Sequence, residues 1–207
     1  ALKTVEAQGL LPIFVGGTGL YFRALTEGLS DIPPVPEAVR AKLRAWAEGR
    51  DPAALHARLA ERDPETAAHL RPTDPQRILR ALEVFEATGR SLRSFHDERR
   101  GAVLKPEETL SLFLAPDRDV LRARIDARFD GMIAAGAVDE VARLAERKLD
   151  PALPAMRAHG VPGIIRALHG DISMDEAIEK GKADTRAYAK RQHTWFRHQA
   201  PDFAWVK

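Results

Sequence analysis

The sequence predicts an α/β protein whose core of strands and helices is interrupted by an all-helical insert. A short apolar run at residues 11–15 ends in glycines, which is typical of a buried strand turning sharply into a helix. Strand character returns at residues 109–115 and 202–206, whereas the region between the first two strands holds only short helical segments. We therefore expect a core of residues 1–33 and 106–207 around an insert at residues 34–105.

The first predicted strand has the character of an interior strand. Such a strand in a parallel sheet needs hydrogen-bonded neighbours, and the chain begins with Ala1 rather than Met. We therefore expect further core segments upstream of Ala1. After the glycines, Leu20, Ala24 and Gly28 have helical spacing, which predicts a helix over residues 20–29.

The predicted insert follows a proline-rich linker at residues 31–36 and repeats one way of starting a helix. An aspartate at the N-cap accepts backbone N–H groups, and a proline at the next position loses no hydrogen bond. Apolar stripes with helical spacing follow, Gly89 is placed to end the third helix, and residues 97–100 form a charged tail. The starts are Asp51-Pro52, Asp63-Pro64 and Asp74-Pro75, and the stripes are Val39, Leu43 and Trp46, then Ile78, Leu82 and Phe85.

The C-terminal part of the core is predicted as strand, helices and strand. A long helix follows Pro116, with Leu121, Ile125, Phe129 and Met132 on one face. Gly160 precedes a short helix that Pro162 begins. Ser173 and Glu176 form a capping box that opens the last helix, which runs towards Phe196.

Composition excludes several classes of protein. The 207 residues include no cysteine, which excludes disulfides and thiolate metal sites. No apolar run reaches the roughly 18 residues of a membrane span, so we expect a cytoplasmic protein without a membrane partner. The seven histidines show no metal-ligand spacing, and the sequence has neither a G-x-S-x-G elbow nor a G-x-x-x-x-G-K-[ST] loop. No protein metal ligands are predicted within this chain.

Two features suit a phosphate-bearing ligand. Gly17 and Thr18 lie in a strand-to-helix turn, where glycines let the backbone approach a phosphate and a hydroxyl can donate to it. Arg124 and Arg128 are four residues apart on the predicted long helix, and paired guanidinium groups fit a polyphosphate. A turn without a ligand would explain Gly17 and Thr18 equally well, and two solvated side chains would explain Arg124 and Arg128. The phosphate-binding hypothesis and these alternatives all stay open.

Two basic segments suit nucleic acid. Net charge is only +2, but residues 182–207 hold six Lys/Arg against two aspartates. In this segment Arg186, Lys190, His193 and Arg197 form one predicted stripe, interleaved with Tyr188, Gln192 and Trp195. Charge for phosphates and rings for stacking are typical of RNA-binding surfaces. The alternatives are a solvated helix face and a core position for Trp195 or Phe196.

Arg77 and Arg80 give the second basic segment. They lie with Gln76 in the first turns of the third Asp-Pro helix, where cations oppose the helix dipole and an external anion would help to explain them.

Five segments in order resemble one family, the tRNA dimethylallyltransferases. They span nearly the whole chain, and their order makes the match more specific than any single motif. The segments are LPIFVGGTGLYF (residues 11–22), EGL (27–29), DPQRILRALEV (74–84), RIDARF (124–129) and TRAYAKRQHTW (185–195).

The resemblance implies a P-loop-NTPase-like nucleotide-binding fold and transfer of a dimethylallyl group from dimethylallyl diphosphate to N6 of the adenine 3′-adjacent to a tRNA anticodon. It implies catalytic roles for Thr18 and Arg128, diphosphate binding by Gly17, Thr18, Arg124 and Arg128, and a monomer bound to the tRNA anticodon stem-loop. The implied tRNA-binding residues are Thr18, Arg40, Gln76, Arg77, Arg80, Arg157, His159, Gly160, Lys190, Arg191, Gln192, Thr194, Trp195 and Arg197.

The chain departs from the family pattern in two ways. The family's P-loop, general-base Asp and Mg²⁺ ligands precede the first matched segment, so we expect Mg²⁺ to be held outside this chain and the chain alone to be inactive. Val161 and Pro162 stand where the family usually has a tyrosine and a basic residue; either substrate preference shifts or His159 compensates. A non-catalytic RNA-binding relative and a P-loop-type kinase with a helical lid remain alternatives.

Overall fold

A computed structural model of the chain describes residues 2–96 and 99–207 and divides it into two compact units. One unit is residues 20–109, and the other joins residues 1–19 to residues 110–207. The elements are α1 (Leu2–Ala7), α2 (Gly19–Thr26), β1 (Leu29–Ser30), α3 (Glu37–Ala47), α4 (Pro52–Arg62), α5 (Pro64–Ala67), α6 (Pro75–Thr88), β2 (Arg99–Arg100), β3 (Leu112–Leu114), α7 (Arg118–Ala134), α8 (Ala137–Glu146), α9 (Val161–Leu168), α10 (Met174–Gln199) and β4 (Ala204–Val206), with 3₁₀ helices at Leu92–Phe95, Pro106–Glu108 and Pro154–Arg157.

The unit at residues 20–109 is mainly helical, and its three Asp-Pro helix starts are confirmed. Asp51 accepts a hydrogen bond from the N–H of Ala53, Asp63 from that of Thr66, and Asp74 from that of Arg77. Gly89 ends α6 in the left-handed conformation, at φ 68°. Of the charged tail predicted at residues 97–100, Asp97 and Glu98 lie outside the described residues. The antiparallel pair β1–β2 was not predicted.

Two apolar clusters form the core of this unit. The larger cluster lies among α3, α4 and α6, where Leu43, Leu59, Ile78 and Leu82 are buried. The smaller cluster contains Val84 and Phe95. The predicted stripe of α6 is therefore confirmed at Ile78 and Leu82, but the deeply buried residue of the next turn is Val84, while Phe85 is only half-buried.

The other unit holds the parallel strand pair β3–β4. Leu112 is opposite Ala204 and Leu114 is opposite Val206, which confirms the two predicted C-terminal strands. The predicted strand at residues 11–15 is wrong: this segment is irregular, and Leu11 and Val15 are 84% and 92% exposed. A strand exists only where a neighbour completes its backbone hydrogen bonds, and no described residue pairs with this segment.

Helices α7, α9 and α10 pack closely because two glycines make room for one aromatic ring. Phe129 of α7 is buried against Gly160 and Gly181, and a β-carbon at either glycine would meet its ring. Gly160 also has φ 94° at the start of α9, which only glycine adopts readily. The capping box of Ser173 and Glu176 opens α10 as predicted. Of the predicted α7 stripe only Phe129 is fully buried.

Among the residues that the structure describes, no helix is both long enough and apolar enough to cross a bilayer.

Candidate functional site

The glycine turn, residues 16–19, contacts α10 at two points. The side chain of Gln192 donates a hydrogen bond to the carbonyl oxygen of Gly17 at 2.7 Å. The ring of Trp195, one helical turn further, lies where a β-carbon on Gly19 would be. Gln192 and Trp195 were both predicted from the resemblance to bind tRNA, and here both side chains contact this turn. Thr18 stays exposed between the two anchored glycines.

Arg124 and Arg128 lie exposed on α7. Within residues 2–96 and 99–207 neither guanidinium group has an ion pair or a hydrogen bond. The nearby acidic residues of the same helix are engaged with α10: Asp130 with Lys182 at 2.7 Å, and Asp126 with Arg186. The two arginines are therefore left with unneutralised charge, as an anion site requires.

In the basic stripe predicted on α10, some residues contact neighbouring side chains and others stay exposed. Arg186 is tied to Asp126, and the ring of His193 lies edge-on to Trp205, with 4.7 Å between centroids. Phe196 is buried, which confirms that one member of the Trp195–Phe196 pair is core. Of the stripe, Lys190 and Arg197 remain exposed, and so do Arg191 and Thr194, which lie between them in sequence but are not part of the stripe.

The predicted Arg157 segment borders a small open cavity next to α10. The cavity has a volume of about 130 Å³ and is lined by Arg157, His159, Gly160, Lys180 and Asp184, among others. The ring of His159 lies 5.4 Å from that of Tyr188, and the guanidinium of Arg191 lies 5.6 Å from the same ring. His159 thus faces α10, in the region where Val161 and Pro162 depart from the family pattern.

A cluster of arginines forms in the helical unit. Arg40 of α3 and Arg80 of α6, both predicted, converge on the carboxylate of Glu83, and Arg44 joins them. Sequence reasoning missed Arg44 and Glu83. The signal was present, because Arg44 follows Arg40 by four residues and Glu83 follows Arg80 by three.

Two further predicted residues lie at the start of α6. Arg77 is paired with the N-cap Asp74 at 3.4 Å, and Gln76 is exposed.

In the described part of the chain, no three His, Asp or Glu side chains converge.

Solved structures define the class to which this fold belongs. The tRNA isopentenylpyrophosphate transferase of Bacillus halodurans is similar to this chain, with TM-score 0.60 and 32% sequence identity. The match covers 99% of this chain and 62% of the Bacillus halodurans chain. That of Staphylococcus epidermidis matches 99% of this chain over 66% of its own, with TM-score 0.57 and 32% identity. A eukaryotic dimethylallyltransferase acting on tRNA matches 99% of this chain over 53% of its own, with TM-score 0.69 and 26% identity. The chain has the α/β, P-loop-NTPase-like fold of these proteins, with a helical insert.

Sequence comparison then gives the family. The model of the IPP transferase family matches residues 1–199, and the chain belongs to that family. It is 62% identical over 205 residues to a tRNA dimethylallyltransferase of Beijerinckia indica, covering 99% of this chain and 68% of the relative. It is 61% identical over 206 residues to one of Rhodopseudomonas palustris, covering all of this chain and 65% of the relative. The chain thus spans about two thirds of the length of these curated relatives.

Proposed function

We propose that the protein transfers a dimethylallyl group from dimethylallyl diphosphate to N6 of the adenine 3′-adjacent to a tRNA anticodon. The observation that carries this proposal is the family match over residues 1–199, together with relatives above 60% identity that are named for the reaction. The proposal places the protein in the cytoplasm as a monomer that binds an anticodon stem-loop.

The reaction needs cations where the diphosphate leaves. The adenine amine attacks the allylic carbon, the carbon–oxygen bond breaks, and the electron pair departs with the diphosphate. Negative charge therefore grows on the departing oxygens, and preorganised donors stabilise that charge. Arg124 and Arg128 suit this role, because they are exposed and the acidic groups beside them are already paired with α10.

The glycine turn suits the other side of the same diphosphate. Gly17 and Gly19 are held by Gln192 and Trp195, so the backbone around Thr18 is fixed before any ligand arrives. A backbone that is already held loses little conformational entropy on binding, which is how preorganisation improves affinity. The exposed Lys190, Arg191 and Arg197 then suit tRNA phosphates.

We further propose that the 207-residue chain alone does not complete the transfer. Its sequence holds no G-x-x-x-x-G-K-[ST] loop, and its described residues form no metal-ligand group. The proton of the adenine amine also needs a base, and none of the side chains assigned above is a carboxylate.

Replacing Arg128 tests the proposal in the full-length protein. With an anticodon stem-loop and dimethylallyl diphosphate as substrates, Arg128→Gln should lower kcat/KM about a hundredfold. The substitution removes a charged hydrogen-bond donor that would stabilise the departing diphosphate. Arg122→Gln is the matched control, because Arg122 is exposed on the same helix but lies two residues from Arg124, on another face. Its kcat/KM should stay within about twofold of the unsubstituted protein.

Two outcomes would count against the proposal. Equal losses from Arg122→Gln and Arg128→Gln would mean that general surface charge, not a diphosphate site, matters. Salt-sensitive stem-loop binding by the full-length protein, with no affinity for the diphosphate, would instead indicate the non-catalytic RNA-binding relative.

A further inference from the structure

The helical unit contains a nearly buried carboxylate that three arginines surround. Glu83, in the middle of α6, is only 6% exposed. Its Oε1 atom is 3.6 Å from Nε of Arg44, and its Oε2 atom is 3.8 Å both from Nε of Arg40 and from Nη1 of Arg80. A buried carboxylate is costly unless it is paired. One partner would be enough to neutralise this one, so three leave an excess of positive charge.

The geometry leaves most guanidinium donors free for another acceptor. All three distances exceed the roughly 3.2 Å of a good N–H···O hydrogen bond, so Glu83 attracts the arginines without consuming their donors. Within the described residues, Arg40 donates to Glu37 at 3.2 Å, and Arg44 and Arg80 donate to no side chain. Each guanidinium carries five N–H donors in a planar fork that matches a phosphate.

The cluster is not needed to join its two helices. Helix α3 already packs on α6 through Leu43, Ile78 and Leu82, which are almost completely buried. Arg40 and Arg44 are four residues apart on α3, and like charges at that spacing repel each other. Without an anion between them and Arg80, the three side chains would separate into solvent. The carboxylate therefore gathers cations at one place on the surface.

We propose that Glu83 is a positioning residue, which holds Arg40, Arg44 and Arg80 as one binding surface for RNA phosphates. The inference rests on the proposed function, because the RNA is the tRNA that the protein modifies. It adds Arg44 to the binding residues and assigns Glu83 a role in binding through charges other than its own. Arg40, Arg44 and Arg80 together form the arginine cluster.

Glu83→Gln separates positioning from plain electrostatics, because the two effects have opposite signs. Removing a negative charge near an RNA-binding surface should tighten RNA binding if charge alone matters. If Glu83 holds the cluster together, the same change should weaken the Kd for the anticodon stem-loop about tenfold. The turnover rate at saturating RNA should stay unchanged, since the arginines contact the stem-loop and not the reacting atoms. The test uses the full-length protein and measures Kd, kcat and KM.

Glu86→Gln is the matched control, and a double-mutant cycle traces the effect. Glu86 lies one turn along α6, and its carboxylate is 3.6 Å from Nη2 of Arg58, outside the cluster. Its replacement should leave the Kd within about twofold of the unsubstituted protein. In an Arg44→Gln background, Glu83→Gln should weaken binding less than it does alone, because part of its effect passes through Arg44.

Each remaining outcome decides the question. Unchanged or tighter binding by a correctly folded Glu83→Gln protein overturns the inference. If that variant does not fold, Arg44→Lys and Arg44→Gln replace it, since the Arg44 side chain is 63% exposed and can be changed without unfolding. Weaker binding by Arg44→Lys, which keeps the charge but loses the planar fork, supports the cluster, and unchanged binding by Arg44→Lys refutes it whatever Arg44→Gln does. No stem-loop binding by the unsubstituted protein would refute the proposed function itself.

Discussion

At the scale of single residues, Gly19 determines how closely the glycine turn approaches α10. A β-carbon at Gly19 would overlap the Trp195 ring, so Gly19→Ala must displace either the ring or the turn. We expect a loss of about 1–3 kcal/mol in the free energy of unfolding, as for other overpacked sites. The KM for dimethylallyl diphosphate should rise as well, because Thr18 is no longer held. Thermal unfolding and steady-state kinetics measure the two effects.

Gly131→Ala is the control for that substitution. It is also a helical glycine, but an added β-carbon there has no neighbour within 4 Å. The change should leave stability equal or raise it by roughly 0.5–1 kcal/mol, because alanine is the better helix former. Trp195→Leu should partly rescue Gly19→Ala by making room. Similar destabilisation at Gly19 and Gly131 would show that the contact with Trp195 is unimportant.

At the scale of elements, Asp63 joins α5 to the 3₁₀ helix at Leu92–Phe95. Its Oδ1 accepts from the N–H of Thr66 at 3.0 Å, and its Oδ2 from the N–H of Leu92 at 3.1 Å. Burial acts to raise the pKa of Asp63, but hydrogen bonds from Thr66, Ser91 and Leu92 outweigh it and hold that pKa below its ordinary value. The charged form is therefore the one that stabilises this unit.

The sign of the pH dependence follows from that lowered pKa. The stabilisation is complete above the unfolded-state pKa of about 4 and is lost as pH falls through the lower folded-state pKa. Asp63→Asn should remove this part of the acid sensitivity and lower the free energy of unfolding by about 2 kcal/mol at neutral pH. The asparagine NH₂ group would then face a backbone N–H of Thr66 or Leu92, and two donors cannot form a hydrogen bond. Denaturant unfolding at neutral and acidic pH measures both.

Asp51→Asn supplies the comparison for Asp63→Asn. Asp51 caps α4 in the same manner but is exposed, and asparagine is an equally good N-cap. Its replacement should change stability by less than about 0.5 kcal/mol. An acid transition that keeps its shape in the Asp63→Asn protein would place the titrating group elsewhere.

These helices also show what a sequence can and cannot predict. The Asp-Pro starts, Gly89 and the capping box at Ser173 were predictable because a helix end is satisfied by residues next to it in sequence. The pairing of Glu83 with Arg40 and Arg44 joins two helices, and the slot for Phe129 joins three. The spacing of these residues within each helix was visible in the sequence, but the contacts between the helices were not. Sequence reasoning found the cations of the candidate site, but it could not separate the exposed Arg128 from Arg186, which an aspartate of another helix neutralises.

At the scale of the whole molecule, the unpaired apolar segment at residues 11–15 is the feature that affects behaviour in solution. The predicted strand does not form, because no described residue pairs with this segment. Its side chains are nevertheless apolar, as the sequence showed. Ile13 and Val15 are 80% and 92% exposed, and Leu114 of β3, whose only strand partner among the described residues is β4, is 73% exposed. Exposed apolar patches and open strand edges promote association, and a net charge of +2 opposes it weakly.

We therefore expect the 207-residue chain by itself to self-associate with increasing concentration and to bind a hydrophobic dye. The double substitution Ile13→Lys and Val15→Lys should reduce both, with little change in melting temperature, because neither side chain is buried. Ala57→Lys with Ala60→Lys is the control, since it adds the same charge at exposed positions of α4. Sedimentation velocity over a concentration series measures the association. If both double variants suppress association equally, net charge is the cause, whereas suppression by the first alone assigns it to the apolar segment.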